Sequence, residues 1–122
     1  MANKKEYAAK NLAWLEAKGI YYKVIKSAEK SDKHPTPRNI ITAHYSGYTI
    51  NGKKFDSSRG GAPLAMRLSD LIEGWIIALG HMSVGDRWEI YLPANCGYGR
   101  FSQPGIPAHS TLIFDIELLG IM

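Results

Sequence analysis

The pair Asn51 and Gly52, which lies between two stretches of strand-forming residues, constrains the fold of this 122-residue chain more than any other feature. Residues 39–50 before the pair are rich in β-branched and aromatic side chains, which favour strands. An Asn-Gly pair is typical of a two-residue hairpin turn, because both central residues of that turn need a positive φ. The sequence therefore predicts that the chain reverses here and that residues 53–56 return as an antiparallel strand.

The rest of the pattern favours more strands and a single helix. Further strands are predicted where apolar and β-branched residues concentrate between turns, at residues 20–27, 64–68, 87–92 and 111–119. Polar or glycine- and proline-containing segments at 28–38, 58–63 and 93–109 are predicted to be loops. Helical spacing relates five apolar residues: Leu71, Ile72, Trp75, Ile76 and Leu79. The expected fold class is α+β, an antiparallel sheet curved around one short α-helix.

An amphipathic helix is predicted at residues 3–18, before the first strand. Asn3 is a possible helix cap and Gly19 a stop, and the division of the chain is therefore 1–19 for this helix and 20–122 for the main domain. The helix either packs on its own domain or pairs with another subunit. Trp88, unusual in a strand of mixed polarity, is expected to contact this helix through Trp14 or Tyr7.

Size, charge and cysteine content narrow the class of protein. The length is that of one domain, and the net charge of +4 is a modest surplus that does not favour nucleic-acid binding. Cys96 is the only cysteine, so no internal disulfide can form. No apolar run is long enough to span a membrane, and residues 1–15 lack the apolar core of a signal peptide. The expected location is cytoplasmic as the chain stands, or periplasmic or surface-anchored if a leader was removed.

The usual chemical reagents of active sites are missing from the sequence. It shows no Ser-His-Asp order, no histidines at metal-ligand spacing, no phosphate-binding glycine loop and no paired carboxylates. Neither a cofactor nor a metal ion is therefore expected.

Five motifs follow one another in the second part of the chain. They are HYSG at 44–47, GKKFDSS at 52–58, LIEGW at 71–75, YG at 98–99 with PGIP at 104–107, and STLIFDIELL at 110–119. In this order and spacing, from about residue 39 to 120, the chain resembles an FKBP-type peptidyl-prolyl cis/trans isomerase. Residues 19–26 and 88–93 are similar to the bacterial, macrophage infectivity potentiator-like branch, in which a helix precedes the isomerase domain.

The resemblance implies a role for ten residues around an apolar pocket. Trp75 would form the floor under the substrate proline, and the side chain of Asp56 and the backbone N–H of Ile72 would be its polar contacts. The hydroxyl of Tyr98 would bond a substrate or macrolide carbonyl. The aromatic walls would be Tyr45, Phe55 and Phe114, and the substrate-binding apolar residues would be Leu64, Leu71 and Ile106. Asp56 would also anchor Tyr45 or Arg59, whereas Cys96 and His109 look structural.

The resemblance implies proline-containing polypeptides as partners and macrolides such as rapamycin as inhibitors. Departures from the family pattern around residues 58–64 and in a shorter flap at Ile106 bear on sequence preference and macrolide affinity. A monomer is favoured, with a dimer through the N-terminal helix as the alternative. A second function stays open: a noncatalytic module or chaperone that binds proline segments in the same groove. A third is an adaptor that binds its partners through its basic surface, but nothing in the sequence requires it.

Overall fold

One antiparallel sheet organises the protein, whose computed structural model describes residues 13–15, 19–28 and 33–122. The seven strands are β1 (Ala13–Leu15), β2 (Ile20–Lys26), β3 (Ile40–Thr49), β4 (Lys54–Ser57), β5 (Leu64–Arg67), β6 (Arg87–Leu92) and β7 (Leu112–Ile121). They are ordered β1-β2-β6-β7-β3-β4, and β5 pairs with the first half of β3. The described residues contain one α-helix, α1 (Glu73–Leu79). The predicted fold class, an antiparallel sheet around one short helix, is confirmed.

The hairpin predicted from Asn51 and Gly52 joins β3 to β4. The N–H of Thr49 donates to the carbonyl of Lys53 at 2.9 Å, and the N–H of Gly52 donates to the carbonyl of Thr49 at 2.8 Å. The turn differs from the predicted two-residue type: the loop has three residues, 50–52, in which Gly52 has a φ of +85°, which glycine adopts without steric strain, whereas Asn51 does not have the positive φ predicted for it. This turn sets the register in which Gly47 on β3 lies opposite Asp56 on β4.

The two faces of the sheet differ in polarity because side chains alternate along each strand. On β7, residues 112, 114, 116 and 118 are buried, whereas Asp115 and Glu117 lie on the outer face. Arg87 on β6 binds Asp115 with two hydrogen bonds, at 2.9 and 2.8 Å. The inner face, which is apolar, is the one that the helix covers.

Helix α1 packs on the inner face through one side of its surface. Its buried residues are Gly74, Trp75, Ala78 and Leu79, the pattern of a helix with a single apolar stripe. Gly74 allows close approach to the sheet, because a Cβ atom placed there would lie 2.4 Å from Leu92 Cδ1. Among the described residues, no helix is long and apolar enough to cross a membrane.

The N-terminal segment differs from the prediction where it is described. Ala13–Leu15 form a strand rather than part of a helix, and pair with β2 across Gly19, which has a φ of +72°. This pairing gives hydrogen-bond partners to backbone N–H and C=O groups at the edge of β2. The helical periodicity of the segment does not reveal such a pairing, because the pairing depends on a neighbouring strand. The other residues of the predicted helix lie outside the described part of the chain, as does any pairing with a second subunit through it. The division of the chain at residue 19 stays a prediction.

Trp88 has a partner on the neighbouring strand. Its ring stacks on Tyr22 of β2, with ring centroids 4.3 Å apart and an angle of 16° between the planes. The Trp88 side chain is buried within the sheet core. The expected contacts with Tyr7 and Trp14 fall on side chains that the structure does not describe, so they stay predictions.

Candidate active site

An open cavity of about 340 Å³ lies between α1 and the inner face of the sheet. The residues that line it are Tyr45, Phe55, Asp56, Leu64, Met66, Asp70, Leu71, Ile72, Trp75, Tyr98 and Phe114. The structure therefore brings together all the residues that the sequence analysis assigned to a site, except Ile106. They come from β3, β4, β5, α1, β7 and two connecting segments, so the cavity exists only in the folded chain.

Four aromatic rings form the floor and part of the wall. The ring of Trp75 meets those of Tyr45 and Phe114 edge to face, at centroid distances of 5.2 and 5.4 Å. Phe114 meets Phe55 in the same way at 5.6 Å. Each such pair contributes about 0.5–1.5 kcal/mol beyond the burial of its area, and together they hold the rings in one arrangement. The cavity therefore presents a preformed aromatic surface rather than one that must assemble around a ligand.

A carboxylate lies at the rim of this aromatic surface. The hydroxyl of Tyr45 donates to Asp56 Oδ2 at 2.6 Å, and the N–H of Ser57 donates to Asp56 Oδ1 at 2.8 Å. The sequence left Tyr45 and Arg59 as possible partners of Asp56, and the structure shows the hydrogen bond to Tyr45. Arg59 instead contacts Glu117 at 3.4 Å and Asp115 at 3.8 Å. Both oxygens of Asp56 are hydrogen-bonded, which orients the carboxylate while leaving it exposed to a ligand.

The environment of Tyr45 keeps its phenol protonated at neutral pH. Desolvation by burial, then the hydrogen bond and the negative charge of Asp56, raise the pKa of Tyr45 from 10.0 to about 12. Tyr45 therefore stays a hydrogen-bond donor to Asp56 throughout the physiological range.

We expect the phenol of Tyr45 to titrate at about pH 12 in the folded protein. This pKa is raised above the unfolded value of 10.0, so protonated Tyr45 stabilises the folded state. That contribution to the free energy of unfolding is fully present below pH 10 and is lost as the pH rises toward 12. In Asp56→Asn the negative charge is gone, so the pKa of Tyr45 should fall toward its ordinary value. Titration of the tyrosine ¹³Cζ signals by NMR measures both midpoints; an unchanged Tyr45 midpoint in the variant would contradict the coupling.

Two serines that the sequence analysis did not single out hold the backbone of Tyr45. Ser58 Oγ accepts a hydrogen bond from the N–H of Tyr45 at 2.9 Å and lies 3.0 Å from His44 Nδ1. Ser57 Oγ donates to the carbonyl of Tyr45 at 3.1 Å. Serines at the end of a strand often hydrogen-bond to nearby backbone groups, which is the signal that would have found them. They join the end of β4 to β3 beside the carboxylate.

Ser58→Ala is expected to lower the free energy of unfolding by about 1–2 kcal/mol, because it removes the acceptor of a half-buried backbone N–H. Urea denaturation measures the change. Ser27→Ala is the matched control, since that exposed hydroxyl reaches only the carbonyl of Ala28, at 3.4 Å. Equal stabilities of the two variants would show that the Ser58 network contributes nothing.

Helix α1 offers a backbone donor to the cavity. Ile72 precedes the helix with extended φ and ψ of −62° and 154°, and its carbonyl accepts from the N–H groups of Trp75 and Ile76. Within the described residues the N–H of Ile72 has no hydrogen-bond partner. Its side chain lines the cavity. The first N–H groups of a helix have no partner inside it, so a ligand carbonyl can take this one.

Tyr98 reaches the cavity from the long loop before β7. The turn around it is held by the N–H of Gly99, which donates to the carbonyl of Ala94 at 2.8 Å, and by the N–H of His109, which donates to the carbonyl of Gly99 at 2.7 Å. Cys96 is fully buried in the same segment. Within the described residues the hydroxyl of Tyr98 has no hydrogen-bond partner, which leaves it available to a ligand.

Ile106 lies outside the cavity lining. Its backbone pairs with that of Gln103 at 2.9 and 2.8 Å, its side chain is only 4% exposed and belongs to the buried core, and the residue contributes to the lining of a neighbouring cleft. Met66 and Asp70 line the cavity instead, although the sequence analysis did not assign them. Met66 lies two residues after Leu64 on β5, and this alternation is the signal that would have found it.

Comparison with known proteins agrees with this geometry. A family model described as "FKBP-type peptidyl-prolyl cis-trans isomerase" matches residues 31–119. The protein named peptidyl-prolyl cis-trans isomerase Mip from Coxiella burnetii is 38% identical over 122 residues, 98% of this chain and 50% of that protein. The protein named FKBP-type peptidyl-prolyl cis-trans isomerase FkpA from Escherichia coli (strain K12) is 36% identical over 104 residues, 84% of this chain and 38% of that protein.

Solved structures show the same fold. The crystal structure of FkpA from Escherichia coli matches with a TM-score of 0.85 at 33% identity, covering 97% of this chain and 55% of that one. The structure of a peptidyl-prolyl cis-trans isomerase from Pseudomonas syringae matches with a TM-score of 0.85 at 29% identity, covering 96% of this chain and 85% of that one. The chain spans half of the length of the Coxiella burnetii Mip protein and 38% of that of the Escherichia coli FkpA protein. From its sequence and its fold, it belongs to the FKBP-type peptidyl-prolyl cis-trans isomerase family.

Proposed function

We propose that this chain catalyses cis/trans isomerisation of Xaa-Pro bonds in polypeptides and so speeds proline-limited steps of folding. The observation that carries the proposal is the preformed aromatic cavity, with Trp75 at its floor and the Tyr45–Asp56 pair at its rim. Uncatalysed rotation about this bond has a barrier of about 20 kcal/mol and takes tens of seconds or longer. A site that lowers this barrier needs no nucleophile, metal ion or cofactor.

The reaction is a rotation, so the site acts by binding the twisted amide better than the planar one. In the planar form, resonance gives the amide a large dipole that water solvates well; in the twisted form that resonance is lost. Transfer into an apolar cavity therefore penalises the planar amide more than the twisted one. The rings around Trp75 supply this environment, and the difference in binding becomes a lower barrier.

We propose the following substrate contacts. The proline ring lies on Trp75, against Phe55 and Phe114, and the carbonyl of the proline accepts from the N–H of Ile72. The hydroxyl of Tyr98 donates to a second substrate carbonyl. Asp56, fixed by Tyr45 and by the backbone of β4, lies where the carbonyl before the proline turns during rotation, so its charge acts on the changing amide dipole.

The same cavity supports two further proposals about ligands. A macrolide such as rapamycin would compete with the peptide, because both would present an apolar ring to Trp75 and carbonyls to Ile72 and Tyr98. The clients would be proline-containing polypeptides with an apolar residue before the proline, since apolar and aromatic side chains surround that position.

The first test is NMR exchange spectroscopy on a short peptide containing Leu-Pro. Wild type is expected to accelerate exchange, and Asp56→Asn to reduce that acceleration by about tenfold, the loss of one charge-assisted contact. Asp115→Asn is the matched control, because that carboxylate binds Arg87 on the outer face of the sheet. Rapamycin should abolish the acceleration by wild type.

The outcomes separate catalysis from recognition. A wild-type protein that binds the peptide and leaves its exchange rate unchanged would make this chain a proline-binding module on the same fold. Equal losses in Asp56→Asn and Asp115→Asn would show that the effect of Asp56 is not local to the cavity.

A further inference from the structure

A second cleft, of about 510 Å³, lies beside the active-site cavity. One wall comes from the turn between β3 and β4 and contains Ile50 and Lys53; the other comes from the loop before β7 and contains Gln103, Ile106 and Pro107. Neither wall contributes to the lining of the aromatic cavity. The contacts proposed above for the proline and its neighbouring carbonyls therefore leave this cleft unused.

The cleft combines apolar walls with a basic rim. Ile50 is 65% exposed, so its side chain is accessible to a ligand in the cleft. Within the described residues the ammonium group of Lys53 forms no ion pair, and no carboxylate lines the cleft. An apolar side chain next to an acidic one is the chemistry that fits this surface.

The cleft and the cavity adjoin at Phe55. Phe55 lines the cavity, and a Cβ atom placed on Gly105 of the cleft would lie 3.4 Å from Phe55 Cβ. An extended chain advances about 3.3 Å per residue, so two or three residues are enough to pass from one side of a phenyl ring to the other. One polypeptide can therefore occupy both sites.

The polarity of the bound chain follows from the contacts proposed at the active site. The N–H of Ile72 takes the carbonyl of the proline itself, on the helix side of the cavity. Residues after the proline then leave past Ile72, and residues before it leave past Phe55, toward the cleft. The segment that reaches the cleft is the one that precedes the proline.

We propose that this cleft is a second substrate subsite, which takes residues two to four positions before the proline in a client polypeptide. An apolar side chain packs between Ile50 and Pro107, which is exposed, and an acidic side chain pairs with Lys53. The proposal rests on the isomerase function proposed above and names the sequence class that it prefers. A second copy of the chain is a poorer occupant, because a twofold contact through this cleft would bring the two Lys53 side chains together.

Three peptides with the same Leu-Pro centre test the subsite. One is too short to leave the cavity, and two extend before the proline with a leucine followed by either glutamate or lysine. For wild type, kcat/KM for the glutamate peptide should exceed that for the short peptide by about fivefold, and the lysine peptide should gain less. Lys53→Glu should reverse the order of the two extended peptides, and Ile50→Ser should reduce both gains; neither should change kcat/KM for the short peptide.

Peptide binding is read separately by amide NMR shifts of residues 50, 53 and 106. Shifts caused by the glutamate peptide and absent with the short peptide support the subsite even if no peptide is isomerised, which would overturn only the isomerase proposal. Equal kcat/KM values for the three peptides, with no shifts in the cleft, would overturn the subsite alone. Sedimentation velocity tests whether a second copy of the chain occupies the cleft instead. If wild type is a dimer, and Ile50→Ser dissociates that dimer without changing the peptide preference, the subsite proposal is also overturned.

Discussion

Phe114→Ala is expected to lower kcat/KM toward a Leu-Pro peptide by about ten- to thirtyfold. Phe114 is 4% exposed and forms the wall that meets both Trp75 and Phe55 edge to face. A proline ring carries three methylene groups, each worth about 0.8 kcal/mol when fully buried, and loss of this wall uncovers part of them. A loss of about 1.4–2 kcal/mol of transition-state binding corresponds to this change in rate, which the peptide exchange assay measures.

The same substitution should also lower the free energy of unfolding by about 3–5 kcal/mol, the usual range for truncation of a buried phenylalanine. Stability and activity must therefore be separated. Ile116→Ala is the matched control: this residue is fully buried on the same face of β7, two positions along, and lies outside the cavity lining. Both variants should be unstable to urea, but only Phe114→Ala should lose activity under conditions where both are folded. A similar loss of activity in the control would contradict a specific role for the wall.

Gly47→Ala is expected to disrupt the cavity from behind. A Cβ atom placed on Gly47 would lie 2.6 Å from Phe55 Cζ and 2.8 Å from Phe114 Cε1, closer than carbon atoms approach. Phenyl rings cannot bend away as a flexible side chain can, and Phe114 is held in the core, so both rings must move. Overpacking of this kind lowers the free energy of unfolding by about 1–3 kcal/mol. That loss is larger than the gain expected when alanine replaces a glycine within a strand. We expect that loss of stability and at least a tenfold loss of kcat/KM, about 1.4 kcal/mol.

Two further variants test whether residue 47 must be glycine because the rings of Phe55 and Phe114 leave no room for a Cβ atom. Gly61→Ala is the control, because the nearest atom to a Cβ there is 3.8 Å away and the backbone is not left-handed. Phe55→Leu, which shortens one of the two rings, should recover part of the stability lost in Gly47→Ala when the two changes are combined. Additive effects in the double variant would mean that Gly47 and Phe55 do not interact.

Much of the fold was predictable because each strand carries its own signal. The Asn51-Gly52 pair predicted the position of the hairpin but not its turn type, because only Gly52 has a positive φ, as in a three-residue loop, and Asn51 does not. The spacing of Trp75 and Leu79 predicted the short helix, whose buried face contains both. The three residues Ala13–Leu15 were not predictable in the same way, because their strand is defined by pairing with β2 rather than by local pattern.

The site was predictable at the level of motifs and not of contacts. Phe55 and Asp56 stand in one motif, and the structure places both in the cavity lining. Alternation along β4 does not say which neighbour receives the carboxylate, and the structure shows that it is Tyr45 rather than Arg59. The tight turn that contains Ile106, which lies outside the cavity lining, depends on the pairing of its backbone with that of Gln103, and no property of either residue alone reveals this pairing.

The sequence by itself determined the succession of β2 to β7 and α1 along the chain, the position of the hairpin at Asn51 and Gly52, and the identity of the aromatic residues available for a site. These depend on local backbone preference and on periodicity, which are written in neighbouring residues. Only the tertiary structure decided which groups meet: Gly47 behind the rings of Phe55 and Phe114, and the serines beside Tyr45. Such contacts join strands distant in sequence, and their distances depend on register and close packing, which no single segment specifies.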